Sequence, residues 1–125
     1  MFAIPLVLAN VIVMAFILTN HGLSPLTPKV NDVLVNSLSV TLPRPLVFLT
    51  LGFGYHVEHH MFPAMSTRHA PLVRDRILAH WPERYQSMPL TSALAALHRT
   101  ARVYRDQTTL TDPRSGAVWP TLLPR

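Results

Sequence analysis

The sequence predicts a mainly α chain: one transmembrane helix, then a histidine-bearing helix, then two amphipathic helices on the cytoplasmic side. Three observations carry this. Residues 2–19 are apolar and uncharged. His56, His59 and His60 fall at helical spacing. Leu90, Leu94, Leu97, Ala101 and Tyr104 recur at steps of three and four. Composition agrees, with 49% hydrophobic and only 14% charged residues, where soluble domains carry roughly 25% charged. With 125 residues and no cysteine, the chain allows one domain, no disulfide and no thiolate metal site. Any metal falls to imidazole, carboxylate or water.

Residues 2–19 form the first element. As a helix the run is roughly 27 Å long, close to a bilayer core. Pro5 lies in its first turn, where a missing N–H costs little. No basic segment precedes it and no small-x-small site follows, which favours a spanning helix over a signal peptide. Asn20 and His21 stand where the helix leaves lipid; an ionisable residue there is either an interfacial side chain or a ligand. Gly22, Pro25 and Pro28 break the helix.

Charge sets the orientation. Residues 61–125 hold nine arginines against Asp75, Glu83, Asp106 and Asp112. Arginine excess beside a span marks the cytoplasmic side. These residues form no nucleic-acid-binding motif and sit beside lipid-like sequence, so the partner is a bilayer and not nucleic acid.

Residues 31–42 alternate imperfectly, with Leu34 off pattern, and read as irregular or extended. Pro45 then opens a helix over 45–61. Its apolar half, 46–53, is too short to span and is either buried or at the membrane interface. Gly52 and Gly54 mark a kink or a close approach. Pro63 ends the helix. A basic helical region fills 67–106: a helix to His80, with apolar Leu72, Val73, Ile77 and Leu78, and another from Met88 to Asp106. The second stripe suits a core face better than a membrane surface. His69 and His80 read as surface histidines, and residues 107–125 as an irregular tail.

The chemistry concentrates in Gly54 to Pro63. With about 100° per residue, His56, His59 and His60 share one helix face, while Val57 and Glu58 point elsewhere. His56 lies between the other two, a fan suited to two ions side by side.

His56-Val-Glu-His-His60 followed by Met-Phe-Pro, Asn20-His21 at a helix exit and the basic tail resemble the C-terminal portion of membrane fatty acid desaturases of the histidine-box type. The likeness covers residues 1–105. It implies a non-haem di-iron oxidoreductase of lipid metabolism, using O2 and external electrons to place a double bond in an acyl chain. It carries His56, His59 and His60 over as iron ligands, His21 as a further one, and Asn20 as either a support to the ligands from just outside them or a ligand through water. Partners implied are an acyl-lipid, acyl-CoA or acyl-ACP substrate and a donor such as ferredoxin or cytochrome b5. The first two boxes, HxxxH and HxxHH, are absent. Three or four histidines do not fill two iron spheres, so the expectation is a fragment inactive by itself. The alternatives are a membrane-anchored metal-binding piece, a subunit completed in trans, or a related lipid hydroxylase.

Overall fold

The structure, a computed structural model, describes residues 2–27, 32–100 and 103–122. Pro28, Asn31, Ala101 and Arg102, which entered the reading above, lie outside the described residues. Helices make up about half of the chain. The apolar run forms α1 (Ala3–His21), 19 residues and long and apolar enough to cross a membrane by length and composition. Its buried residues are Phe16, Thr19 and Asn20, all near the C-terminal end where the rest of the chain packs. The Thr19 hydroxyl turns back to the Ala15 and Phe16 carbonyls, which satisfies it within the helix. The helix stops at His21, and the Gly22 N–H closes on the Leu18 carbonyl at 2.8 Å.

Residues 32–42 are more regular than expected. They hold a short helix, α2 (Val33–Asn36), and a strand, β1 (Ser39–Thr41). Asp32 caps α2 by accepting the Leu34 N–H at 3.1 Å. Leu34 broke the alternation because it sits on a helical turn that buries it.

The expected continuous helix over 45–61 is two helices, α3 (Arg44–Leu49) and α4 (His56–Met61). The chain breaks where Leu51 (φ 52°) and Gly52 (φ 73°) take left-handed backbone, which no helix continues through. Gly54 answers a different need. A Cβ there would lie 2.5 Å from the Val40 carbonyl oxygen. That closeness lets the Val40 N–H donate to the Gly54 carbonyl at 2.9 Å, so β1 crosses the break.

After a 3-10 turn at Thr67–His69 comes α5 (Ala70–His80), with Pro71 in its first turn. It buries Ala70 and Ile77 but leaves Leu72 and Leu78 exposed, so the expected stripe is only half used. Strand β2 (Ser87–Pro89) pairs in parallel with β1, Val40 opposite Met88. Helix α6 (Leu90–Arg99) is shorter than the expected 88–106. Ala93 and Leu97 bury against Phe16, Leu23, Leu38 and Val40, so its apolar face belongs to the core. Val57 of α4 joins Leu34, Ile77 and Tyr85 in a second core.

Of the irregular tail expected over 107–125, residues 123–125 lie outside the described residues; the rest holds β4 (Thr109–Thr111) and β5 (Val118–Pro120), which form an antiparallel sheet with β3 (Val103–Tyr104). Asp112 organises its turn: its carboxylate accepts from the Arg114 N–H and the Ser115 hydroxyl. Leu110 is the buried residue of the sheet, and the Leu122 N–H reaches the Leu23 carbonyl beside the exit of α1.

The contact at Gly54 yields a stability prediction. Gly54→Ala should lower unfolding stability in detergent micelles by about 2 kcal/mol, because backbone must move to admit the methyl group. Denaturant titration followed by circular dichroism measures it, and an unchanged midpoint would contradict the close approach.

Candidate metal centre

Two elements 35 residues apart in sequence build the centre. His21 closes α1, and α4 carries His56 and His60 one helical turn apart. The three donor nitrogens lie within 4.8 Å of one another. His56 Nε2 is 2.7 Å from His21 Nε2 and 3.0 Å from His60 Nε2. Nitrogens binding one ion at right angles, with bonds near 2.1 Å, sit about 3 Å apart. The donor set therefore fits one imidazole-bound metal ion. The rings meet edge to face, with centroids 4.4 to 5.2 Å apart.

Each ring is prepared for ligation differently. His21 Nδ1 donates to the Asn36 carbonyl at 3.1 Å, which in the neutral ring leaves Nε2 as the lone pair facing His56. His56 is buried; burial, then the neighbouring His21, His60 and His59, lower its pKa to about 3. His60 is also lowered, by burial and then by His21 and His59. Both rings are thus neutral at physiological pH, the form that binds metal.

His59 is not part of this triad. It is exposed, its ring 5.8 Å from that of His60. Ring contacts run from His56 through His60 to His59, whereas helical arithmetic put His56 in the middle. Asn20 is fully buried, and neither amide atom has a hydrogen-bond partner among the described residues. Such orphans are rare and point to a missing polar partner. His69 and His80 are exposed and engage Arg68 and the Arg76 carbonyl, as surface histidines do.

Sequence reasoning gave Glu58 no role beyond facing away from the histidines. It does face away, and it is fully buried. One carboxylate oxygen accepts the Ser39 hydroxyl at 2.7 Å and the other the Tyr85 hydroxyl at 2.5 Å. Ser39 Oγ in turn accepts the Val57 N–H at 3.0 Å. Burial, then the adjacent carboxylate, push the Tyr85 hydroxyl well above its usual pKa, so it stays a donor. The available signal was a carboxylate set between Val57 and two histidines; nothing local announced Ser39 or Tyr85 as its partners.

An apolar helix long and apolar enough to cross a membrane thus ends at three histidines that could together hold a metal ion. The chain belongs to the fatty acid desaturase family, whose profile matches residues 1–92. It is 36% identical over 70 aligned positions to the sphingolipid delta(4)-desaturase/C4-monooxygenase DES2 of Homo sapiens, covering 49% of this chain and 22% of that protein. It is 45% identical over 49 positions to the sphingolipid delta(4)-desaturase DES1 of Xenopus tropicalis, covering 39% of this chain and 14% of the relative. The chain thus spans under a quarter of the length of these relatives. No solved structure matches it. Iron is the metal the family implies in general, and three imidazoles are compatible with it.

Cobalt(II) titration of the purified chain, read by absorption, tests the assignment of the triad. His21→Ala, His56→Ala and His60→Ala should each weaken binding about a hundredfold, with His59→Ala unchanged. Equal weakening by His59→Ala would contradict it.

Proposed function

We propose that this chain is the C-terminal part of a membrane lipid desaturase. It supplies the third histidine box and His21 to a di-iron centre whose other ligands come from further polypeptide. The observation that carries the reading is the convergence of His21, His56 and His60 at the end of the apolar helix, within the family match. His21, His56 and His60 hold one iron. His59, exposed beside His60, reaches for a second. Asn20 acts through a water, which would satisfy its buried amide. Iron bound there supplies the activation of O2 that removes hydrogens from adjacent carbons of an acyl chain.

The chain's own residues do the holding. The Asn36 carbonyl orients His21, burial keeps His56 neutral, and Glu58 fixes the helix that bears the box. A cavity of about 450 Å³ borders His21, walled in part by Ile17, Leu18, Pro25 and Leu26. Apolar walls beside the triad suit a hydrocarbon substrate. Among acyl-lipid, acyl-CoA and acyl-ACP substrates, the names of the relatives favour a sphingolipid. Electrons come from a ferredoxin or a cytochrome b5. Arginine excess supports a cytoplasmic box and C-terminus.

By itself the chain does not desaturate, because one triad and one further histidine leave two ions short of ligands. Hydroxylation is the second reading, favoured because the human relative's name joins a desaturase to a C4-monooxygenase. Membranes holding the chain, with NADH, cytochrome b5 and its reductase, and either a saturated sphingolipid or a saturated acyl-CoA, test the proposal. No unsaturated product is expected from the chain alone. Product should appear when the chain is joined to desaturase sequence bearing HxxxH and the first HxxHH, and disappear with His56→Ala. Turnover by the chain alone would overturn the proposal; hydroxylated lipid in place of unsaturated lipid would select the second reading.

A further inference from the structure

Helix α3 and the turn after it have no part in the metal site, yet among the described residues that follow α1 they present the most exposed large apolar side chains. Phe48 is 82% exposed, Leu49 73% and Leu51 78%. Residues 46–55 contain no charge; the nearest charged residue in sequence, the exposed Arg44, stands at the start of the helix, and Arg74 borders the cavity beside Val47 and Gly54. Three further observations bear on what covers this surface.

The first is position. Phe53 packs its ring edge to face on Phe16 of α1, with centroids 5.5 Å apart. Phe16 lies five residues before the end of α1, about 7 Å below it along the axis. The end of the segment therefore meets α1 near its C-terminal end, beside the apolar part of the helix. The second is backbone satisfaction. Although the helix breaks, the N–H groups of Thr50, Leu51, Gly52, Phe53 and Tyr55 all donate to carbonyls of the same segment. The Thr50 hydroxyl, its one polar group before Tyr55, bonds the Leu46 carbonyl at 2.8 Å. Backbone in hydrocarbon must be paired in this way, whereas backbone in water need not be. The third is Leu51, a non-glycine residue in left-handed backbone that turns a leucine outward.

We propose that α3 and its turn form an interfacial foot. Phe48, Leu49 and Leu51 enter the hydrocarbon of the bilayer that α1 crosses, and Arg44 reaches up to the headgroups. Ten uncharged residues cannot span a bilayer, but they can lie within its upper layer, as amphipathic surface helices do. The foot then holds the start of α4 at a fixed depth, through the Gly54–Val40 bond and the Phe53–Phe16 contact. This rests on the reading of α1 as a membrane span.

The absence of cysteine allows single spin labels without background. Labels at Phe48→Cys and Leu51→Cys, with Leu8→Cys on α1 and Glu83→Cys on the exposed turn after α5 as references, are placed in the full chain in phosphatidylcholine vesicles. Power saturation compares collisions with oxygen, which concentrates in lipid, and with a water-soluble nickel chelate. At Phe48 and Leu51 oxygen should dominate as at Leu8, with the order reversed at Glu83. Nickel dominance at Phe48 and Leu51, with Leu8 in lipid, overturns the foot alone. Low collision with both agents at those two sites means a protein cover, such as a second copy, and also overturns it. Nickel dominance at Leu8 removes the span and the foot together.

Discussion

The buried carboxylate of Glu58 is the interaction on which the centre depends. Helix α4 has only six residues, too few to be stable unaided, so tertiary contacts must set its orientation. A carboxylate out of water is costly unless its oxygens are well bonded. Ser39 and Tyr85 supply those bonds from β1 and from the loop after α5. Val57 packs on the same side. One face of α4 is thereby tied inward, and the opposite face carries His56 and His60 to His21.

That arrangement makes the triad a junction between the apolar helix and the polar body. Two contacts fix His21: the helix it ends, and the Asn36 carbonyl on its Nδ1. The Tyr104 hydroxyl donates to the Ser24 carbonyl at 2.7 Å just beyond, and Leu122 bonds Leu23, so the terminal sheet braces the same exit. Burial removes the charge from His56 and leaves a lone pair available to a metal. The preparation is one-sided: three nitrogens converge, and the adjoining amide of Asn20 finds no partner among the described residues.

Much of this was legible. An uncharged run of bilayer length gave α1, and the spacing of His56 and His60 put on one face the two rings that meet His21. The motif that carried the resemblance carried the family. What was illegible is mostly non-local. Parallel pairing of Ser39 with Ser87 leaves no periodic trace, because the partners are far apart in the chain. The same holds for Tyr85 as the partner of Glu58. The break between α3 and α4 had a local sign in Gly52 and Gly54, but a leucine at φ 52° ahead of them did not. His59 shares the helical spacing of its neighbours, and spacing alone does not separate the exposed ring from the two that meet His21. The terminal sheet was missed because its strands are short, while Asp112 to Gly116 had the composition of a turn.

The central claim is that this chain prepares one metal position and leaves a second incomplete. Iron per chain in the purified, monodisperse monomer tests it most directly, counted by elemental analysis against protein concentration after anaerobic loading and removal of loose metal. One iron per chain is expected, lost in His56→Ala. Two irons per chain in the monomer would contradict the account.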